Sequence, residues 1–328
     1  MSSDADRSSA NGLEVLTFGR SGVDAALPPT ERPMSDFNQD KLTQDVLAAF
    51  AGTPDPRLRE LMTALVKHIH AFAREVELTP DEWLGGMKFL EAVGQISTER
   101  RPEFILLSDT LGLSMMVVAL QQARASGDAK GATPPTEATV EGPFYWPGAP
   151  DLPLGSDIGE GVPGEPTLYM GRVTDCDGKP LVGALLDVWS GNGEGKYDVQ
   201  LSAEPTMKAR GRFRTDAEGR YWFWSIRPTY YPVPDDGPVG EMMRITDRSI
   251  FRPGHMHMMV SADGHVPVTT HIFVAGSPYI DQDAVFGKRD SLVVDFDAHP
   301  PGKAVDGRYM KVPYHSASYD FRLAATPA

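Results

Sequence analysis

Two histidines one residue apart, His255 and His257 in "RPGHMHMMVSADGH", are the first residues whose spacing suggests chemistry. Residues two apart in a strand share a face, so both imidazoles point the same way, close enough to ligate one metal ion. Gly254 before them permits close backbone approach. An isolated H-x-H is more often a pair of half-buried, hydrogen-bonded histidines, so the motif needs partners. The single cysteine, Cys176, excludes a thiolate-rich site and an internal disulfide framework. It stands in "TDCDGK", a turn-like stretch that suits an exposed or half-buried thiol. H-E-x-x-H is absent, and no Asp or Glu has the spacing of a two-histidine, one-carboxylate facial triad.

Two tyrosines stand out instead. Tyr197 follows the glycine-rich turn "SGNGEGKYD", and Tyr231 lies in "RPTYYPVPDDG", where prolines fix the backbone on both sides. Each, taken alone, is more commonly an amphipathic aromatic at a strand end. Tyrosine ligates metal only as phenolate, so the ion must pull a pKa of about 10 well below neutral. Trivalent iron does this best.

The elements that must position these groups fall into two kinds. Residues 1–36 are rich in Ser, Asp, Ala and Pro without sustained periodicity, and are expected to form a flexible tail. Over 37–135 the period is helical. Leu58, Leu61, Met62, Leu65, Ile69, Phe72 and Val76 recur at three and four, one face of an amphipathic helix. Pro54 and Pro56 punctuate the junction before it, and Thr79-Pro80 with Glu82 forms a capping box for the next helix. "EFILLSDTLGLSMMVVALQQA" predicts a further, more apolar helix or helix pair. Over 136–328 Gly and Pro become dense, and short β-branched or aromatic runs such as "LYMGRVTD", "ALLDVWSG", "YWFWSI" and "THIFVAG" alternate with turn signals. The expected architecture is α+β: a helical N-terminal domain followed by an antiparallel β-sandwich.

Composition narrows the partners. A formal net charge of -14 disfavours nucleic acid and anionic membrane, since both want a basic face. No apolar run approaches the ~18 residues a membrane span needs, and the N-terminus lacks the pattern of a signal peptide. The cytoplasm is the expected compartment.

Four blocks, "EGPFYWPGAP", "GRVTDCDGKPLVGALLDVWSGNGEGKYD", "GRFRTDAEGRYWFWSIRPTYYPVPDDGP" and "RPGHMHMMVSADGHVPVTTHI", resemble the consecutive signature blocks of the intradiol ring-cleavage dioxygenases. The likeness runs in order from about residue 40 to 300. It implies one non-haem Fe(III) per subunit, held by Tyr197, Tyr231, His255 and His257. The implied activity is O2-dependent ring opening between two hydroxylated carbons, a step of aromatic catabolism, with Tyr231 also taking a substrate proton. Arg252 matches the family arginine that stabilises the electron-rich substrate; by itself it would read as a surface salt bridge at a strand start. His271 falls where catechol-cleaving members usually carry Gln, and would serve as a hydrogen-bond donor or as a third nearby imidazole. His265 and His315 read as ordinary exposed histidines.

For the substrate, "EFILLSDTLG" and "GKYDVQ" resemble the hydroxyquinol-cleaving branch, while Glu141 in "VEGPFYW" is the residue of the catechol branch. Leu106, Asp109 and Val140 match positions that line the substrate pocket. A carboxylate at Asp109 in an apolar pocket needs a partner, and a third substrate hydroxyl would supply one. The competing reading of Ser108-Asp109-Thr110 is a helix N-cap. The resemblance thus implies hydroxyquinol (1,2,4-trihydroxybenzene) opened to maleylacetate, with catechols opened to cis,cis-muconates as the alternative. It also implies a homodimer through helical domains that cap the active-site mouth, often around bound lipid. A more distant alternative is a non-catalytic, transthyretin-like binding sandwich, suggested by the strand-turn-strand grammar of "GRVTDCDGKPLVGALLDVW".

Overall fold

The computed structural model describes residues 38–99, 101–126, 133–201 and 206–326; the expected tail lies outside them. The chain divides into two compact units, residues 1–92 and 93–328. Helices α1 (Gln39–Ala49), α2 (Pro56–Glu75) and α3 (Pro80–Ile96) come first. Asp55 caps α2 by accepting from the Arg57 and Leu58 amides at 2.8 and 3.1 Å, with Pro56 in the first turn. The Thr79/Glu82 capping box forms as the sequence predicts: the Glu82 amide donates to Thr79 Oγ1 at 3.3 Å and the Thr79 amide to Glu82 Oε2 at 2.9 Å. Along α2, the predicted stripe of Leu58, Leu61, Leu65, Ile69, Phe72 and Val76 lies 48–55% exposed in the single chain.

The apolar segment after α3 is a helix pair rather than one helix. α4 (Glu103–Thr110) and α5 (Leu113–Ser126) are bent by 72°. The break falls at Gly112, whose φ of +74° is in the left-handed region that ends helices. No single helix among the described residues is long and apolar enough to cross a membrane.

Strands follow from residue 166: β1 (Pro166–Asp175), β2 (Leu185–Trp189), then the single-turn helix α6 (Asp198–Leu201), β3 (Arg210–Arg214), β4 (Arg220–Ile226) and β5 (Tyr231–Pro232). Helix α7 (Pro238–Ile245) precedes β6 (Phe251–Arg252), β7 (His255–Ser261), β8 (Val268–Val274) and β9 (Val293–Val294). The chain ends with β10 (Asp297–His299), β11 (Gly302–Lys303), β12 (Tyr309–Met310), β13 (Tyr314–Ser318) and β14 (Phe321–Leu323). One sheet has the order β3-β2-β7-β8-β9; in the other, β1 is flanked by β4, β13 and β14, with β10 outside β13. The sandwich is as expected, but its pairing is mixed. The β1–β13, β1–β14 and β8–β9 pairs are parallel, because the returning strands arrive through long connections instead of hairpins.

The core between the sheets is aromatic and aliphatic. Phe213 and Phe223 stack at 4.8 Å and Phe223 and Tyr169 at 5.1 Å, and the buried Tyr169 hydroxyl donates to the Ile226 carbonyl at 2.9 Å. Strand β7 is buried on both faces. Met256, Met258 and Val260 enter this core, so the alternation of the strand sends His255 and His257 to the opposite side.

Candidate metal centre

Four donor atoms from three separate segments meet in a buried ring. Tyr197 Oη lies 2.8 Å from His257 Nε2, which lies 3.2 Å from His255 Nε2. His255 Nε2 lies 3.4 Å from Tyr231 Oη, which closes the ring by donation from Tyr197 Oη at 3.2 Å. All four side chains are at most 5% exposed.

Each donor has a local cause. His255 and His257 share a face of β7, as their spacing predicts. The His255 Nδ1–H donates to the Pro253 carbonyl at 2.7 Å, which leaves the Nε2 lone pair facing the ring. The His257 ring stacks on Trp189, its cross-strand partner on β2, at 4.6 Å. Tyr231 sits on β5 directly opposite Arg252 on β6. Tyr197 follows the glycine turn and stacks on Phe144 at 4.5 Å. Its neighbour Asp198 accepts from Arg210 Nε and Nη2 at 2.7 and 2.6 Å, a buried bidentate pair that pins the segment.

The electrostatics favour a cation. Burial pushes both phenols up, Tyr197 well above the ordinary value, although the Arg252 guanidinium pulls in the other direction. Burial, with Arg252 beside it, pushes His255 down to about 3. Without a cation the ring therefore holds neutral phenols and neutral imidazoles, with the two Nε2 atoms in near contact. A metal ion would satisfy the converging lone pairs and stabilise the phenolates, so this donor set fits one.

The other predicted residues fall around the ring. Arg252 is buried, not a surface ion pair: its Nε donates to Asp283 Oδ1 at 3.0 Å. Burial opposes its charge, but the Asp283 carboxylate more than offsets this. His271, fully buried on β8 opposite His257, is the third imidazole: its ring lies 4.3 Å from that of His257 and 4.5 Å from that of His255. One ligand atom from each of the three histidines falls within a 4.8 Å group. His271 Nδ1 is 3.0 Å from Thr139 Oγ1 and 3.4 Å from Arg252 Nη2. Leu106 and Val140 are buried.

Asp109 lies inside α4, two residues after Leu107, so the N-cap reading fails. It is 2% exposed; burial pushes its carboxyl up, while Ser114 and the charge of Arg252 offset part of that rise. Glu141 lines a cavity of about 360 Å³ beside α5, together with Gln121, Met259 and Arg322. His265 and His315 are half-buried rather than exposed: His265 bonds within its own turn and His315 approaches Glu165 at 3.7 Å. Cys176 is free and half-buried.

Residues the sequence reading passed over complete the surroundings. Asp283, Thr139, Trp189, Phe144 and the Asp198–Arg210 pair touch the ring or hold a residue that does. Phe144, Trp189 and Asp198 belong to the signature blocks without an assigned role; Thr139, Arg210 and Asp283 lie outside them, since their proximity is set by strand register and loop packing.

Residues 140–325 match the family model described as "Dioxygenase", and residues 55–129 match "Catechol dioxygenase N terminus". The chain is 47% identical over 274 residues to hydroxyquinol 1,2-dioxygenase of Rhodococcus opacus, covering 83% of this chain and 89% of that protein. It is 45% identical over 263 residues to 6-chlorohydroxyquinol 1,2-dioxygenase of Cupriavidus pinatubonensis, covering 80% and 93%. Among solved structures, hydroxyquinol 1,2-dioxygenase from Pseudomonas putida DLL-E4 superposes with a TM-score of 0.78 at 40% identity, over 88% of this chain and 99% of that one.

Proposed function

Because this chain belongs to the intradiol ring-cleavage dioxygenases, we propose that it opens hydroxyquinol with O2 to maleylacetate, with Tyr197, Tyr231, His255 and His257 holding one Fe(III). The observation that carries the reading is the closed ring of two phenol oxygens and two imidazole nitrogens, each 2.8–3.4 Å from the next. The ferric ion, when bound, supplies Lewis-acid polarisation of two adjacent substrate hydroxyls. Membership of this family sets the non-catalytic sandwich aside.

The chain's own residues do the rest. Tyr231 Oη is the base that takes a substrate proton, and Arg252 beside it is a fixed positive charge near the electron-rich ring. Arg252 Nη1 lies 3.2 Å from His255 Nε2, so that charge stands at the ring's edge. His271, neutral because burial and its cationic neighbour push it well down, orients the substrate by hydrogen bonding. Leu106 and Val140 form apolar walls, and Asp109 receives the third hydroxyl of hydroxyquinol. Support for that last assignment is a buried carboxyl close enough to feel the charges of Arg252 and Asp283. Glu141, the feature that pointed to catechol, bonds His257 through its backbone and lines the cavity beside α5.

The half-exposed apolar stripe of α2 is assigned to a homodimer surface with bound lipid, and a lone free cysteine suits a cytoplasmic setting. Oxygen uptake by iron-loaded protein tests the activity. Hydroxyquinol should be consumed with one O2 per ring and with a higher kcat/KM than catechol; a preference for catechol would overturn the substrate assignment.

A further inference from the structure

Arg252 carries its guanidinium in a fixed attitude, and the cause lies 31 residues away in a loop. Asp283 takes one whole edge of the fork: Nε donates to Oδ1 at 3.0 Å and Nη2 to Oδ2 at 3.3 Å. Both side chains are nearly closed to solvent, at 3% and 2% exposure. The carboxylate is itself anchored, since the Gly287 amide donates to Oδ2 at 3.0 Å and the Val285 amide to Oδ1 at 3.4 Å. The loop is tied in turn to the strand that bears the arginine, because the Ala284 amide donates to the Phe251 carbonyl at 3.1 Å. With that edge occupied, the remaining terminal nitrogen, Nη1, faces His255 Nε2 at 3.2 Å. Gly287 allows the loop to close on the pair: a Cβ there would lie 3.0 Å from Arg252 Nη2 and 3.1 Å from Asp283 Oδ2.

We propose that Asp283 is a positioning residue for the reaction, holding Arg252 so that its free edge faces the substrate side of the donor ring. The inference rests on the role given to Arg252 under the proposed function. A planar five-donor fork presents different hydrogens according to which edge is bound, so the carboxylate sets the direction of the positive charge. Outer-shell partners of this kind fix the orientation of the groups that act on substrate.

The test is a mutant cycle on iron-loaded enzyme. Asp283→Asn, which keeps the shape and loses the charge, should lower kcat for hydroxyquinol on the order of 10–100-fold, with KM moving much less. The tyrosinate charge-transfer band of the substrate-free enzyme should stay, since the four donors are untouched. In an Arg252→Ala background the same substitution should change kcat by less than about two-fold. Should Asp283→Asn not fold, Gly287→Ala perturbs the same pair and should show a smaller loss of kcat that also vanishes without Arg252. An Asp283→Asn enzyme with unaltered kcat, or an equal loss in both backgrounds, overturns the inference while leaving Arg252 in place. A silent Arg252→Ala would instead overturn the role of the arginine, and this inference with it.

Discussion

A Cβ placed on Gly195 would sit 2.7 Å from the Cβ of Tyr231 and 2.9 Å from the Tyr230 carbonyl oxygen. Gly195 also has φ +78°, a conformation that disfavours other residues. The turn that delivers Tyr197 therefore lies directly on the backbone that delivers Tyr231. That contact is why two phenol oxygens from residues 34 apart in sequence come within 3.2 Å of each other.

Gly195→Ala should accordingly separate the phenols while leaving the sandwich folded. Purified with iron, the variant should lose the visible tyrosinate-to-Fe(III) absorption and most of its bound metal, with far-UV circular dichroism unchanged. Full retention of colour and iron would show that the turn has room to spare.

Iron removal gives a second expectation. The protein as purified should be burgundy and contain one iron per chain, and reduction with chelation should bleach it. Tyr197→Phe and Tyr231→Phe should each alter the band, because each removes one phenolate donor. Metal analysis alongside absorption spectra checks this, and a colourless protein that cannot be reconstituted would sink the assignment of the ligands.

Asp109→Ala should change the ratio of kcat/KM for hydroxyquinol over catechol by about 10–100-fold toward catechol, which corresponds to the ~1–3 kcal/mol of one unsatisfied buried polar group. Steady-state kinetics with both substrates decides it. An unchanged ratio would remove the substrate argument from this carboxylate.

Acid should weaken the metal-free protein. Burial and the nearby Arg252 push His255 from 6.5 down to about 3, and burial pushes His257 and His271 well down too. Between about pH 6.5 and 3 the unfolded chain thus binds protons that the folded chain refuses, so the unfolding free energy falls as pH falls. The stabilising contribution is complete above the unfolded value and is lost through that window. Urea midpoints measured on metal-free protein from about pH 7.5 to about pH 4.5 should drop, and bound iron should protect against the drop. Equal slopes with and without metal would contradict the account.

The α2 stripe predicts its own result. Leu65→Glu or Phe72→Glu places charge on side chains already half-exposed in the single chain, so folding should survive while association is lost. Light scattering should then report a monomer for each variant and a dimer for the unaltered protein. A dimer that persists in both variants would move the interface elsewhere.

Much of this protein was legible in the order of its residues. The 3.6-residue period of α2, the Thr79/Glu82 box and the alternation in "HMHMMV" are local, and local sterics and hydrogen bonding decide them over a few residues. They place two imidazoles on one side of β7 and Met256 and Met258 on the other. Asp109 reads as an N-cap or a pocket carboxylate until the bend at Gly112 puts it inside α4.

What only the tertiary structure decided are relations across the chain. The pairing register sets Tyr231 opposite Arg252 and both Trp189 and His271 opposite His257. The bond from Arg252 to Asp283 depends on a loop with no spacing that announces it. Such contacts follow from packing and closure over tens of residues, where many arrangements satisfy the local rules and only the one that buries the core brings the donors together.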